Sequence, residues 1–165
     1  MANSYIAWNG AMPTTAALAP VTTGTAIKTM LQIATPSTRQ LRVIEWGISF
    51  DGSAAATPGK VELIQTDVAA TVTAHVAAGV MPHNEPNAPA SLVTLGTSAT
   101  GYTASAEGTT TASRVLDYQQ IAPTGQYVKQ FPLGREPEIP ISKFLRVRVT
   151  FAAAVNAICY IVWEE

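Results

Sequence analysis

Two histidines, His75 and His83, and one cysteine, Cys159, are the side chains of this 165-residue chain best suited to hold a transition metal. Structural zinc takes four Cys or His ligands at short, paired spacings, and catalytic zinc recurs on H-E-x-x-H helices. The two histidines lie eight positions apart, no second cysteine joins them, and neither pattern occurs. His75 falls in an alternating segment, on its polar and therefore solvated side. Cys159 lies in an apolar run, where a thiol is inert rather than nucleophilic. Being alone, it forms no internal disulfide, so there is no extracellular cysteine framework.

Nucleophile patterns fail as well. GISFD, from Gly47, and GTSAT, from Gly96, each place a serine two after a glycine, but both lack the second glycine of a G-x-S-x-G elbow. There is no phosphate-cradling glycine loop and no acidic calcium loop. Carboxylates are scattered from Glu45 to Glu165, with no spacing that selects the pair a glycosidase needs. Glu136 and Glu138 read as solvated charges. Arg146 and Arg148 alternate with apolar residues, as on an outward polar strand face, although a partner's carboxylates could meet them there. No enzymatic role, no metal and no cofactor are expected.

Aromatic residues offer a different chemistry. A pyranose stacks on an indole face, and Trp8, Trp46, Trp163, Tyr5, Tyr102, Tyr118, Tyr127 and Tyr160 supply candidates for the floor of a sugar site. Trp46 and Trp163 lie in alternating or wholly apolar strands and suit the core better. A carbohydrate-binding, lectin-like module is thus the alternative to a structural role.

Ten basic and eleven acidic residues leave a net charge of −1, which argues against nucleic acid or an anionic membrane as partner. Charged residues make up 13% of the chain, about half the ~25% of a typical soluble domain. A surface so poor in charge is weakly protected against association, which points to contact with other chains, a Thr/Ser-rich secreted domain being the other reading. No run approaches the ~18 apolar residues of a membrane span, and the first residues lack the basic region of a signal peptide.

The elements that must position these residues are strands. In the terminal AICYIVWEE, Ile158, Tyr160 and Val162 share one face and Cys159, Ile161 and Trp163 the other. Both faces are apolar, whereas a sheet with one wet face would show one polar set. Either a neighbouring chain or this protein's own N-terminal arm or long excursion must cover the second. LRVIEWGISF alternates most clearly and ends at Asp51-Gly52. AIKTMLQIAT, KVELIQTD, VAATVTAHV, RVLDYQQI, QYVKQFPL, EIPIS and KFLRVRVTF complete the series, and scattered prolines and glycines leave no room for a long helix. An all-β, antiparallel sandwich over residues 25–165 follows, with an aperiodic but ordered excursion at about 79–113. Residues 1–24 carry no charge; SYIAWN could form a short strand, and otherwise the stretch reads as an extended N-terminal arm, anchored by Tyr5, Ile6, Trp8, Met12 and Leu18 on its own domain or on a neighbour. Each large apolar side chain gains about 1.5–3 kcal/mol on burial.

The segments LRVIEWGISFDGS, LVTLGTSATGYTASAEGT, FPLGREPEIPISKFLRVRVT and AICYIVWEE, in this order, resemble the small jelly-roll capsid decoration (head cement) proteins of tailed bacteriophages. The resemblance spans most of the chain after the arm. It implies jelly-roll topology, a homotrimer, and a virion structural protein, made in the host cytoplasm, on the outer capsid surface, where it binds the major capsid protein and stabilises the head. Tyr5, Ile6, Trp8, Met12, Leu18, Tyr160 and Trp163 are then the candidate contacts with capsid or sister subunits.

Overall fold

The computed structural model describes residues 2–12, 15–53, 57–109 and 111–165. Of the N-terminal arm, Met1, Pro13 and Thr14 lie outside the described residues, as does Thr110 of the excursion. The described chain forms β1 (Ser4–Trp8), β2 (Val21–Thr22), β3 (Lys28–Ala34), β4 (Leu41–Phe50), β5 (Gly59–Thr66), β6 (Thr71–Ala74), β7 (Val80–Pro82), β8 (Gly101–Ala106), β9 (Ala112–Ile121), β10 (Gln126–Gln130), β11 (Glu138–Ile139), β12 (Phe144–Thr150) and β13 (Asn156–Glu164). Its one helical piece among the described residues is a 3-10 turn at Ala77–Gly79.

Two antiparallel sheets pack face to face. The seven-stranded sheet runs β10-β4-β13-β1-β7, with β11 also on β4 and β2 also on β13; the six-stranded sheet runs β6-β8-β3-β12-β5-β9. Four pairs nest in sequence and alternate between the sheets: β2 with β13, β3 with β12, β4 with β10 and β5 with β9. The inward residues of both sheets meet in one core, in which Trp46, Trp163, Phe151, Met30, Leu63 and Leu145 are fully buried. The all-β sandwich expected from alternation is therefore present.

The N-terminal segment begins with a strand of the sandwich itself. β1 lies inside the seven-stranded sheet, hydrogen-bonded to β13 on one side and β7 on the other. Period-2 alternation sends Tyr5 and Ala7 into the core, where they are 2% and 0% exposed. Beyond β1, Asn9 continues the ladder with its side chain: Nδ2 donates to the Ala157 carbonyl at 3.0 Å, and Oδ1 accepts from the Cys159 amide at 2.9 Å. Leu18 packs over Gly10, and β2 returns to β13. The described part of the long excursion adds β7 to one sheet and β8 to the other.

Two expectations about polar residues are corrected. Arg146 and Arg148 do not stand on a solvated face; they are 0% and 6% exposed. The β5–β6 and β8–β9 connections close over that side of the sheet, and Arg146 holds both by donating to the carbonyls of Val68 and Glu107. Glu107 also lies 3.5 Å from the Arg146 guanidinium, and Glu62 accepts from Arg148 Nε at 2.6 Å. A buried guanidinium is tolerable only with such partners. His75 is likewise 3% exposed rather than solvated. β6 is only four residues long, so regular alternation stops at Ala74 and the imidazole turns under the chain. Val68 and Val76, which strict alternation along VAATVTAHV would put on the side of Ala70 and Val72, are exposed.

Candidate interaction surface

The outer face of the seven-stranded sheet is built from the residues that alternate with the core set. Cross-strand register lines them up in rows. Trp8 stands opposite Tyr160, Tyr160 opposite Gly47, and Gly47 opposite Val128. The adjacent row reads Met81, Ile6, Val162, Glu45, Gln130. On the other side, Ile158, Ser49 and Gln126 align. Five strands distant in sequence thus bring one mostly apolar surface together. Directly opposed side chains sit about 4.5–5.5 Å apart at Cβ, so these residues touch.

The middle row has a local cause in Gly47. Tyr160 leans its ring across the space that a side chain at this position would occupy: a Cβ on Gly47 would lie 2.6 Å from Tyr160 Cε1. From there the Tyr160 hydroxyl donates to the Glu45 carboxylate. Burial, then the adjacent Glu45, push the Tyr160 phenol well above its ordinary pKa, so it stays protonated and keeps donating. Trp8 packs against the same ring with centroids 4.9 Å apart and planes tilted by 39°. Between these aromatics and β10 lies an open depression of about 220 Å³, walled by Trp8, Ile158, Tyr160 and Val128 with Ser49 and Gln126 as its polar atoms. Val128 is 56% exposed there.

Of the candidate contact residues, Ile6, Trp8 and Tyr160 come together on this face. Tyr5 and Trp163 do not: both point into the sandwich, Trp163 at 0% exposure, with ring centroids 6.2 Å apart. Their polar atoms are used internally, Tyr5 on the Pro89 carbonyl and Trp163 on Glu165. Met12 and Leu18 are half-buried in the loop after β1, outside the rows of the sheet. Glu45, Gly47, Ser49, Gln126 and Val128 complete the surface without having been singled out. Their signal lay in the non-core positions of LRVIEWGISF and QYVKQ, but only the pairing of β10 with β4 sets them beside Tyr160.

A second polar cluster joins the edges of the two sheets. Asp117 of β9, 7% exposed, accepts from Trp46 Nε1 at 3.2 Å and the Tyr127 hydroxyl at 2.9 Å, with Lys129 Nζ at 3.4 Å. Burial and then Asp117 push the Tyr127 phenol up to about 12. With every oxygen of Asp117 engaged by protein groups, this cluster ties β9 to β4 and β10. Cys159 is fully buried, and burial pushes its thiol far up. Among the described residues no group of His, Cys, Asp and Glu is arranged to hold a metal ion. Among the described residues no helix is long and apolar enough to cross a membrane. No protein family, curated protein or solved structure matches this chain.

Proposed function

We propose that this chain is a structural protein of a tailed-phage virion, which decorates the outer capsid surface and stabilises the head by binding major capsid subunits as an oligomer. We read the nested, sheet-alternating strand order as a jelly roll, in keeping with the resemblance of its segments. The observation that carries the proposal is the outer face around Trp8 and Tyr160, where β7, β1, β13 and β10 present apolar residues at positions that would be polar on a sheet facing water. Obligate contacts resemble a core cut in half, and this face has that composition. A low overall charge suits a surface committed to permanent contact.

The test is addition of purified protein to heads lacking it. Native protein is expected to bind, and Trp8→Ser with Val128→Asp to weaken binding by at least about tenfold while the fold persists, since both residues are on the outer face. Failure of the native protein to bind heads would overturn the proposal. The carbohydrate reading draws support from one feature: Ser49 and Gln126 place hydrogen-bonding groups beside the Trp8 and Tyr160 rings, as a sugar-stacking site requires. A reproducible glycan-array signal abolished by Trp8→Ser would favour it.

A further inference from the structure

We propose that the turn carrying Leu133 in one copy of the chain inserts into the Trp8–Tyr160 depression of a second copy, with Arg135 of the turn meeting Glu45 at the rim. The inference rests on the assembly reading above and names the contact that would form the oligomer.

The turn is a built knob. Pro132 to Arg135 close a four-residue turn through an Arg135 amide bond to the Pro132 carbonyl at 2.9 Å, and Gly134 takes φ +81°. Positive φ at the third position marks a type II turn, which only glycine adopts without strain. The Gly134 amide also donates to Glu136 at 2.7 Å, fixing the loop further. Leu133, at the second position, is thereby held out at 94% exposure. A rigid loop that presents a leucine to water gains nothing within its own chain. An apolar recess has to come from elsewhere, and the depression beside Trp8 is apolar, open and on the same molecule. A knob and a recess on one chain, each unfilled by its own copy, generate contact between copies.

Charge complementarity selects the occupant. Glu45 is bonded to the Tyr160 hydroxyl but has no cationic partner among the described residues, and Arg135 is exposed without a carboxylate of its own. The depression has no basic residue in its wall. The whole turn spans less than about 7 Å between its end Cα atoms, so a leucine seated against Tyr160 leaves the long Arg135 side chain within reach of the carboxylate that Tyr160 touches. Like charge at either place would oppose the contact.

Analytical ultracentrifugation of the full chain over a concentration series tests this. The native chain is expected to associate, and Leu133→Ser to raise its dissociation constant by at least about tenfold with the melting temperature unchanged. Arg135→Glu and Glu45→Arg should each weaken association several-fold, and the double variant should recover it, because opposite charges then meet again at every contact whatever the symmetry. The control for Tyr160 is internal: Glu45→Arg removes its bond in both the single and the double variant. Leu133→Ser that associates like the native chain, or a native chain that stays monomeric throughout, would overturn the inference. Head binding by the native protein is read separately, and it alone judges the decoration proposal.

Discussion

His75 shows how far one side chain's surroundings can depart from its sequence neighbourhood. Its Nε2 donates to the Trp8 carbonyl at 2.9 Å and its ring packs on Tyr102 at 4.8 Å between centroids. Gly79 makes the room, since a Cβ there would lie 2.5 Å from Nδ1. The imidazole therefore joins β1, β6 and the excursion in one contact. Burial lowers its pKa, outweighing the bond to Trp8. In the unfolded chain the ring takes up a proton near pH 6.5 that the folded chain refuses. Stability from the neutral ring is thus complete above that pH and drains away as pH falls toward the folded value. His75→Gln keeps a donor for the carbonyl and does not titrate, so its melting temperature should lose this dependence as pH falls below about 6.5. Equal pH slopes in both proteins would contradict the assignment. Alternation pointed the wrong way here because it holds only inside a strand, and β6 ends one residue before His75. Arg146 was missed for another reason. The segments that cover it are 39 and 78 positions away, and no local pattern reports a lid.

The strands themselves were largely legible. β4, β5, β9, β12 and β13 run where alternating or wholly apolar segments predict them, because burial of one face imposes a period of two on the sequence. Pairing was not legible, since register depends on residues far apart in the chain. The uncharged N-terminal residues illustrate this: their apolar character suits an arm on a neighbour equally well as a strand at home, and the ladder to β13 makes them the latter. Asn9 is the residue on which that outcome turns. It is 0% exposed and spans the gap between β1 and β2 on the edge of β13. Asn9→Ala would strand the Cys159 amide and the Ala157 carbonyl in a dry site, where each unsatisfied group costs about 1–3 kcal/mol. A loss of about 2–4 kcal/mol in denaturant unfolding is expected. A change below about 0.5 kcal/mol would mean that water replaces the side chain and that β1 is only loosely held. By the same logic, removing the first nineteen residues would damage the fold itself, because it takes Tyr5 and Ala7 out of the core.

At the scale of the whole molecule, the terminal strand poses the problem that the sandwich half solves. Ala157, Cys159, Ile161 and Trp163 fill the core, and β13 sits between β4 and β1, so its inner face needs no further explanation. Val162, only 3% exposed, is covered by its own chain, whereas Ile158 and Tyr160 are half-open and share their surroundings with Ile6, Trp8 and Val128. The apolar excess visible in the sequence is thus divided between an interior that the two sheets close and an outer face that they leave. If that face docks on a partner, the driving force is release of water from apolar area rather than attraction between net charges, since the chain carries only −1. Raising salt from about 0.1 to 1 M shrinks the screening length from about 10 to 3 Å and removes most long-range attraction. Binding to heads, and self-association, should therefore change by no more than a few-fold over that range, the single Arg135–Glu45 pair being the part that weakens. Cooling should weaken both, as apolar contacts do near room temperature. A salt dependence of tenfold or more in head binding would show that charge does the docking and that the Trp8–Tyr160 face is not the surface that matters.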